Sequence, residues 1–538
     1  MSYDYIIIGA GSAGCVIANR LSADPDIRVL LLEAGGKDTN PWIHIPVGYF
    51  KTLHNPNTDW CYKAEPDPGL NGRALDWPRG KTLGGSSSIN GLLYVRGQQE
   101  DYDRWAQLGN TGWSWDDVLP LFKRSEHHED GDSEFHGKDG ELAVSLIRAK
   151  SEISEAFIGA AVEMGVPRSE DYNGADQEGA GYFHQTARKG FRCSSAKAFL
   201  TPIKNSRQNL EVITHAHTTG LIFAPDAPKQ VTGVAYDRKG TPHRVMLKPG
   251  GEVILSAGAI GSPQLLELSG IGNPDVLKAA GVEPRHALPG VGEHLQDHLQ
   301  IRLVYEVNVP TLNDAINNIF RRAAIGIEYA LRRTGPMSLG ASQVAIFAKS
   351  MEGLDTPDIQ FHFQPLSADK PGIEMHPFSG FTSSVCQLRP ESRGHIHISS
   401  PNAHDYPKIV PNYLSTTGDQ LCAIRAVKFA RAMTKTQALA PYIVREHVPE
   451  GKVETDEDHL EAARNMAQTI YHPTSTCKMG VDDRAVVDPR LRVHGIRGLR
   501  VADASVMPDI VSGNTNAPTI MIGEKCSDLI LEDRRKSA

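Results

Sequence analysis

Three side chains that could bind a soft metal, or act as a nucleophile with its base, stand close together in the segment TIYHPTSTCKMG (469–480): His472, Cys477 and Met479. Copper sites of the cysteine–methionine type use two histidines, and this segment holds only one. Cysteine and methionine are also common core residues. We therefore expect Cys477 and Met479 to be buried, and His472 to be available for acid–base chemistry near neutral pH.

The chain that must position His472 has 538 residues, 40% of them hydrophobic, which is enough for two domains. Its net charge of −8 is not that of a nucleic-acid-binding protein. The start, MSYDYIIIGAG, lacks the features of a signal peptide, and no apolar run has the length of a membrane span. We expect a cytoplasmic protein. The seven scattered cysteines form no CxxC pair, so neither a disulfide framework nor a metal site is predicted.

The first residues follow the pattern of a dinucleotide-binding βαβ unit. A β-branched run, Tyr5–Ile8, leads into Gly9, Gly11 and Gly14 at GxGxxG spacing, and a helical and a second strand pattern follow. These glycines permit a tight turn and let a pyrophosphate approach the helix N-terminus. Glu33 ends the second strand, where a carboxylate accepts ribose hydroxyls. The unit predicts a Rossmann-like domain but does not separate NAD from FAD.

The rest of the chain predicts a discontinuous two-domain fold. Residues 209–223 and 230–256 alternate like a β-meander whose last strand returns to the first sheet, whereas 303–461 has a different pattern of helices and strands. The predicted fold class is α/β plus α+β. Residues 1–155, 190–302 and 462–538 form the dinucleotide-binding domain, and residues 156–189 and 303–461 form a substrate-binding domain with an antiparallel sheet.

Two polar clusters are interpreted as ordinary surface. The charged, turn-rich segment 125–141 contains His127, His128 and His136 without regular ligand spacing, so we expect a solvated lid rather than a metal site. The arginines around Ile319–Arg333 could touch anionic lipid, but a solvated helix face is the favoured interpretation.

Five further segments identify a family. RGKTLGGSSSIN (79–90) resembles the first signature of the glucose–methanol–choline (GMC) oxidoreductases, and GAIGSPQLLELSGIG (258–272) resembles the second. YHPTSTCKMG, RVADASVMP and GNTNAPTIMIGEKCSDLI resemble the C-terminal blocks of the same family. The resemblance runs from end to end and is most similar to the branch of choline dehydrogenase and FAD-dependent alcohol dehydrogenase.

The resemblance implies FAD as the cofactor. It is expected to be non-covalent, because Ile89 stands where some relatives carry the histidine that attaches the flavin. The residues implied to surround FAD are Gly9, Gly11, Ser12, Ala13, Gly14, Glu33, Ala34, Arg79, Thr82, Leu83, Gly84, Gly85, Ser86, Asn90, Gly91, Leu93, Thr218, Tyr471, Asp503, Ala504, Asn516 and Thr519.

The resemblance also assigns two catalytic residues. His472 matches the histidine placed near flavin N5, where an imidazole titrating near neutrality would take the hydroxyl proton of an alcohol. Asn516 matches the second catalytic position, and its amide would donate to the alkoxide oxygen. Asn516 would also cap a helix whose N-terminus faces the flavin.

The function implied is oxidation of aliphatic or aromatic primary alcohols to aldehydes by hydride transfer to flavin N5, with electrons passed to a quinone or another acceptor. An alcohol oxidase that forms hydrogen peroxide, a choline dehydrogenase and an FAD-containing lyase remain alternatives. Phe361, Phe363, Phe378 and Phe381 could form apolar walls for the alcohol. Peripheral attachment to the inner membrane is left open, and the sequence does not indicate the oligomeric state.

Overall fold

The computed structural model describes residues 2–369 and 374–537 and contains two large sheets. The first sheet has seven strands, and its central strands are buried, apolar and parallel, as Ile6, Ile7 and Leu31 illustrate. Its strands in spatial order are Leu210–Thr214, Val29–Glu33, Ser2–Ile8, Thr241–Leu255, Ala227–Arg238 and Ala216–Ala224, with Leu499–Val501 beside Thr241–Leu255.

The predicted meander is confirmed. Strands Ala216–Ala224, Ala227–Arg238 and Thr241–Leu255 pair antiparallel in succession, and the last of them pairs parallel with Ser2–Ile8. The helix Ser12–Leu21 follows the first strand and packs against the long C-terminal helix Asn516–Ser537. Both helices therefore begin on the same side of the first sheet.

The second sheet also has seven strands, and its large strands pair antiparallel. It packs against the helices Glu152–Glu163 and Thr417–Met433 around a core that includes Phe157. Its strands in spatial order are Ile443–Val448, Leu299–Val307, Gly380–Gln387, Ile359–Gln364, Val344–Ala348 and Gly179–Tyr182, with Gln468–Thr469 beside Leu299–Val307.

The predicted domain limits do not coincide with these layers. The limit at 155/156 falls inside the helix Glu152–Glu163, and the limit at 302/303 falls inside the strand Leu299–Val307. Strand Gln468–Thr469, assigned by sequence to the first domain, pairs with the second sheet. His472 follows this strand directly and so lies where the two sheets meet.

The remaining elements are short strands and further helices. In the part of the chain that the structure describes, no helix is both long and apolar enough to span a membrane. The remaining helices are Pro41–His44, Tyr49–Thr52, Gln99–Gln107, Trp115–Ser125, Gly258–Leu268, Pro274–Ala279, Leu312–Asn317, Ile319–Arg332 and Asp456–Met466. The short strands are Tyr62–Lys63, Asp76–Trp77, Glu126–His128, Leu142–Leu146, His184–Gln185, Ala187–Arg188, Phe191–Arg192, Ile271–Gly272, His286–Ala287, His395–His397 and Lys408–Val410.

The expectation of a solvated lid at 125–141 is wrong for its two ends, whereas most of the residues from 129 to 134 are exposed. Glu126, His128 and His136 are all buried, and only His127 of the three histidines is exposed. Arg96 forms a buried ion pair with Glu126 at 2.7 Å, and the ring nitrogens of His136 lie 3.0 Å from carboxylate oxygens of Glu126 and Asp171. These hydrogen bonds raise the pKa of His136 to about 9 against the effect of burial. The segment is tied to the core by a charge network.

Candidate active site

A cavity of about 310 Å³ lies between the two sheets and extends from Glu33 to His472. Most of the residues predicted to surround a dinucleotide line it. They are Gly9, Gly11, Ser12, Ala13, Glu33, Ala34, Arg79, Gly85, Ser86, Asn90, Gly91, Leu93, Thr218, Tyr471, Asp503, Ala504, Asn516 and Thr519.

Four predicted residues lie outside this lining because they hold the backbone behind it. A Cβ on Gly14 would meet the Gly9 carbonyl oxygen at 1.9 Å, so Gly14 lets the helix pack on the first strand. Thr82 and Leu83 hydrogen bond to the Gly36 carbonyl, and the Gly84 N–H donates to the Ala10 carbonyl at 2.7 Å. Their role is to fasten the glycine-rich loop onto the βαβ unit.

One end of the cavity has the features of a dinucleotide site. The helix Ser12–Leu21 starts at Gly11 without a side-chain cap, so backbone N–H groups are available to a phosphate. The Glu33 carboxylate accepts from the N–H groups of Ala10 and Gly35, and burial raises its pKa to about 7. The Thr218 hydroxyl is buried and has no hydrogen-bond partner among the described residues.

The other end of the cavity holds His472 in a fixed backbone. Asp297 accepts from the His472 N–H at 2.7 Å, and its second carboxylate oxygen accepts from the hydroxyls of Thr469 and Tyr413. Tyr471 has a φ of 70°, which a residue with a side chain adopts at a cost. Arg79 donates to the Tyr471 carbonyl at 2.6 Å and helps to keep this conformation. The imidazole of His472 is therefore oriented by its neighbours on both sides.

A second histidine sets the tautomer of His472. His298 Nε2 lies 2.9 Å from the Leu388 carbonyl oxygen, which can only accept, so Nε2 carries the proton. Burial lowers the pKa of His298 to about 4, so the ring is neutral and its Nδ1 is an acceptor. His472 Nδ1 lies 3.0 Å from this atom and must donate to it. The lone pair of His472 is thereby placed on Nε2.

An asparagine faces that lone pair. Asn514 Nδ2 lies 3.1 Å from His472 Nε2, and Gln360 Nε2 donates to Asn514 Oδ1 at 3.2 Å, which orients the amide. Asn516 instead accepts from the Ser12 hydroxyl at 2.8 Å. Asn516 is also the first residue of the helix Asn516–Ser537. The contacts of His472 thus favour Asn514, which sequence reasoning did not select, over the predicted Asn516.

Burial changes the expected titration of His472. Desolvation, together with the neighbouring His298, His362 and Arg79, lowers its pKa well below the ordinary value of 6.5. The sequence-based expectation of an ionisation near neutrality is therefore wrong for this ring. His472 is neutral over the physiological pH range and can accept a proton on Nε2.

Comparison with known proteins identifies the family of this site. Family models described as GMC oxidoreductase match residues 3–300 and 390–523. This chain belongs to the GMC oxidoreductase family. It is 45% identical to the alcohol dehydrogenase [acceptor] of Pseudomonas putida, over 98% of this chain and 96% of the relative. It is 42% identical to the mitochondrial choline dehydrogenase of Homo sapiens, over 98% and 89% of the two chains.

A solved structure gives the same fold. A variant of formate oxidase from Aspergillus oryzae RIB40, described for its FAD modification, aligns with a TM-score of 0.91 at 26% identity. The alignment covers 99% of each chain. The GMC fold, with an α/β FAD-binding domain and an antiparallel substrate sheet, is thus confirmed. FAD is the cofactor, and the protein is an oxidoreductase.

The residues of the cavity fit FAD. The uncapped helix at Gly11 suits the pyrophosphate, and the Glu33 carboxylate suits ribose hydroxyls. A Cβ on Gly85 would meet the Gly11 Cα at 2.7 Å, so the two glycine loops approach each other as closely as bare backbone allows. Ile89 lines the cavity and has no atom that could attach a flavin. We therefore keep the prediction that FAD is bound non-covalently.

The cysteine and the methionine that accompany His472 in segment 469–480 pack in the core. Cys477 and Met479 are 0% and 1% exposed and belong to the hydrophobic cluster of the first sheet, as predicted. All seven cysteines are free.

The expected aromatic walls are wrong. Phe361, Phe363 and Phe381 are fully buried in the core of the second sheet, and Phe378 stacks on His376 away from the cavity. The opposite face of these strands lines the cavity, because side chains alternate along a strand. The residues that it presents, which sequence reasoning missed, are Gln300, Arg302, His362, Gln364 and Ser384.

Proposed function

We propose that this GMC oxidoreductase oxidises primary alcohols to aldehydes and passes the electrons to a quinone or another acceptor. The observation that carries the proposal is the lone pair of His472 Nε2 at the end of the FAD cavity, 3.1 Å from the Asn514 amide. A base and a hydrogen-bond donor at one point are what removal of a hydroxyl proton requires.

Each polar side chain at this end of the cavity has one role in the proposed oxidation. Bound FAD supplies the acceptor for the hydride that leaves the alcohol carbon. His472 Nε2 takes the hydroxyl proton, and the Asn514 amide donates to the oxygen as its negative charge develops. His298 keeps the proton of His472 on Nδ1, and Gln360 keeps the amide of Asn514 turned toward the base.

The alternatives differ in what they would require of this site. Choline is a cation and would need an acidic or aromatic cage. Among the described residues that line the cavity, the acidic ones are Glu33, which ends a strand of the first sheet, and Asp503, which follows another. Aromatic side chains also line it, but the positive charge of Arg302 acts on Tyr49 and Tyr471 and would repel a cation there. The preference for an acceptor over oxygen rests on the Pseudomonas putida relative, whose name specifies an acceptor.

The proposal is tested by mixing the holoprotein with benzyl alcohol or n-octanol in the absence of oxygen. We expect the yellow flavin absorbance to bleach, and an artificial quinone to restore it. Turnover in air should then form peroxide far more slowly than it forms aldehyde. Peroxide formed at the rate of alcohol consumption would make the protein an oxidase, and a flavin that no alcohol bleaches would favour a lyase.

We also propose that the protein works in the cytoplasm at the surface of the inner membrane, attached through the helix Ile319–Arg332. Its outward residues are apolar, against the expectation of a solvated face: Phe320 is 83% exposed, Leu331 79% and Ile327 60%. With Ile319 and three alanines they cover an arc of about 140° that holds no charged residue. Its inner face is anchored by Tyr329, whose hydroxyl donates to the Gly190 carbonyl at 2.9 Å.

The charges beside this apolar arc favour an anionic bilayer as its occupant. Arg321 and Arg332 lie at one edge, beyond the half-buried Glu328, and Arg322 lies at the other edge. All three arginines are exposed. An amphipathic helix of this type lies in the membrane interface with its basic side chains at the lipid phosphates. A membrane position would also place the enzyme where a quinone is dissolved.

Vesicle flotation tests the attachment. The holoprotein should float with vesicles that contain phosphatidylglycerol and bind more weakly to pure phosphatidylcholine. Ile327→Glu/Leu331→Glu should reduce this binding by about tenfold or more, because two charges would enter the acyl region. Val444→Glu/Val481→Glu, which also introduces two glutamates at exposed apolar sites, should bind like the parent. Equal binding of both double variants, or a dimer that only the first variant dissociates, would reject the bilayer as occupant.

A further inference from the structure

One charged side chain in the substrate half of the cavity has no partner. Arg302 is 6% exposed and lines the cavity, and no described residue forms a hydrogen bond or an ion pair with its guanidinium. A buried arginine is normally paired, because its desolvation is costly. Among the other buried arginines, Arg96 and Arg500 are held by carboxylates, and Arg192 donates to carbonyl oxygens. Arg302 therefore lacks the anion that would compensate its charge.

The position of Arg302 places it beside the substrate rather than beside the dinucleotide. It is on the strand Leu299–Val307, directly opposite Ser384, which is in turn opposite His362. Residues opposite each other on paired strands share one face, so these three side chains point into the cavity together. Gln300 and Gln364 line the cavity from the same sheet. This face consists of hydrogen-bonding groups and one positive charge.

Two phenols complete the surroundings of Arg302. Tyr49 and Tyr471 line the cavity, and the positive charge of Arg302 acts to lower the pKa of both, against the larger effect of burial. Neither hydroxyl donates to a described residue. A carboxylate that entered here could accept from the guanidinium and from a phenol.

We infer that Arg302 binds a carboxylate of the substrate, so that the preferred alcohols are ω-hydroxy acids. This inference rests on the proposed alcohol oxidation. His298 immediately precedes the strand that carries Arg302 and is four residues away from it, and four residues of extended chain span about 13 Å. His298 contacts His472, so a carbinol at His472 and a carboxylate at Arg302 would be joined by a chain of medium length. A quaternary ammonium group would meet a like charge.

Binding can be measured without turnover. Octanoate, which cannot be oxidised, should perturb the flavin absorbance of the holoprotein and bind about tenfold or more tightly than neutral octanamide, because the carboxylate gains a charged hydrogen bond. Arg302→Gln should abolish this difference, and Arg302→Lys should keep part of it. Arg244→Gln makes the same change on an exposed strand position and should bind octanoate like the parent.

Turnover provides the second readout. The ratio of kcat/KM for ω-hydroxyoctanoate to that for n-octanol should fall about 30-fold in Arg302→Gln. An unchanged ratio, or an Arg302→Gln protein that loses its flavin, would overturn the inference and assign the arginine to another role. Oxidation of octanol without a preference for the hydroxy acid would overturn the inference but leave the proposed function intact. If neither alcohol bleaches the flavin, the proposed function fails, and the octanoate titration still decides the role of Arg302.

Discussion

Replacing His472 by alanine is expected to lower kcat/KM for alcohols by about 10²–10⁴-fold while the protein stays folded and yellow. The loss follows from removal of the Nε2 lone pair, which lies 3.1 Å from the Asn514 amide. Flavin retention follows from the separation of the two ends of the cavity, since Gly11 and Glu33 lie in the first sheet's βαβ unit. Flavin content and steady-state rates measure the two expectations.

The pH profile shows whether the loss reflects a base. Neutral imidazole is the active form, so the parent rate should be constant at neutral pH and fall only as the pH drops through the pKa of His472. Burial places that pKa well below 6.5, so the fall should lie on the acid side of this value. In His472→Ala the acid limb should disappear, and the residual rate should rise toward alkaline pH as the alcohol itself ionises.

A histidine elsewhere serves as the control. His127 is exposed and lies outside the cavity, so His127→Ala should keep the rate and the pH profile of the parent. If His472→Ala stayed within a few-fold of the parent with the same acid limb, the base would be another group. If it lost FAD instead, His472 would be a structural residue.

The sequence predicts the fold correctly where local residue patterns determine the secondary structure. The run Tyr5–Ile8 and the glycines after it specify a strand and a turn by themselves, and the meander follows from alternation. The predicted domain limits cut through two elements, because the end of a domain depends on which sheet a strand joins. Strand Leu299–Val307 is buried along most of its length, so its sequence does not reveal that it pairs with Gly380–Gln387 and Ile443–Val448.

The site could be predicted only in part. The sequence analysis did not establish which face of a strand each side chain occupies, or which distant residues contact it in the fold. In the segment FHFQ, Phe361 and Phe363 face the core while His362 and Gln364 face the cavity. The alternation of side chains along a strand separates these two faces, and the prediction of aromatic walls does not take it into account. The hydrogen-bond partner of His472 Nε2 could not be predicted from the sequence. Asn514 and Asn516 both lie at the start of the C-terminal helix, and only tertiary contacts distinguish them.

Replacing Asn514 by alanine should therefore slow alcohol oxidation by about 10²–10³-fold, as removal of a donor to a developing oxyanion does. The acid limb of the pH profile should remain, because an amide does not titrate and His472 is still present. The matched variant Asn516→Ala removes the same side chain two residues away, and it breaks the bond from the Ser12 hydroxyl.

We expect Asn516→Ala to lower kcat by less than about tenfold, and to act mainly on flavin affinity, because its contact lies at the start of the helix Ser12–Leu21 rather than at the base. Rates measured at saturating FAD separate the two effects. A larger loss of kcat in Asn516→Ala than in Asn514→Ala would restore the original assignment of Asn516 as the second catalytic residue. It would also mean that the amide 3.1 Å from His472 Nε2 serves to orient the imidazole and not the substrate oxygen.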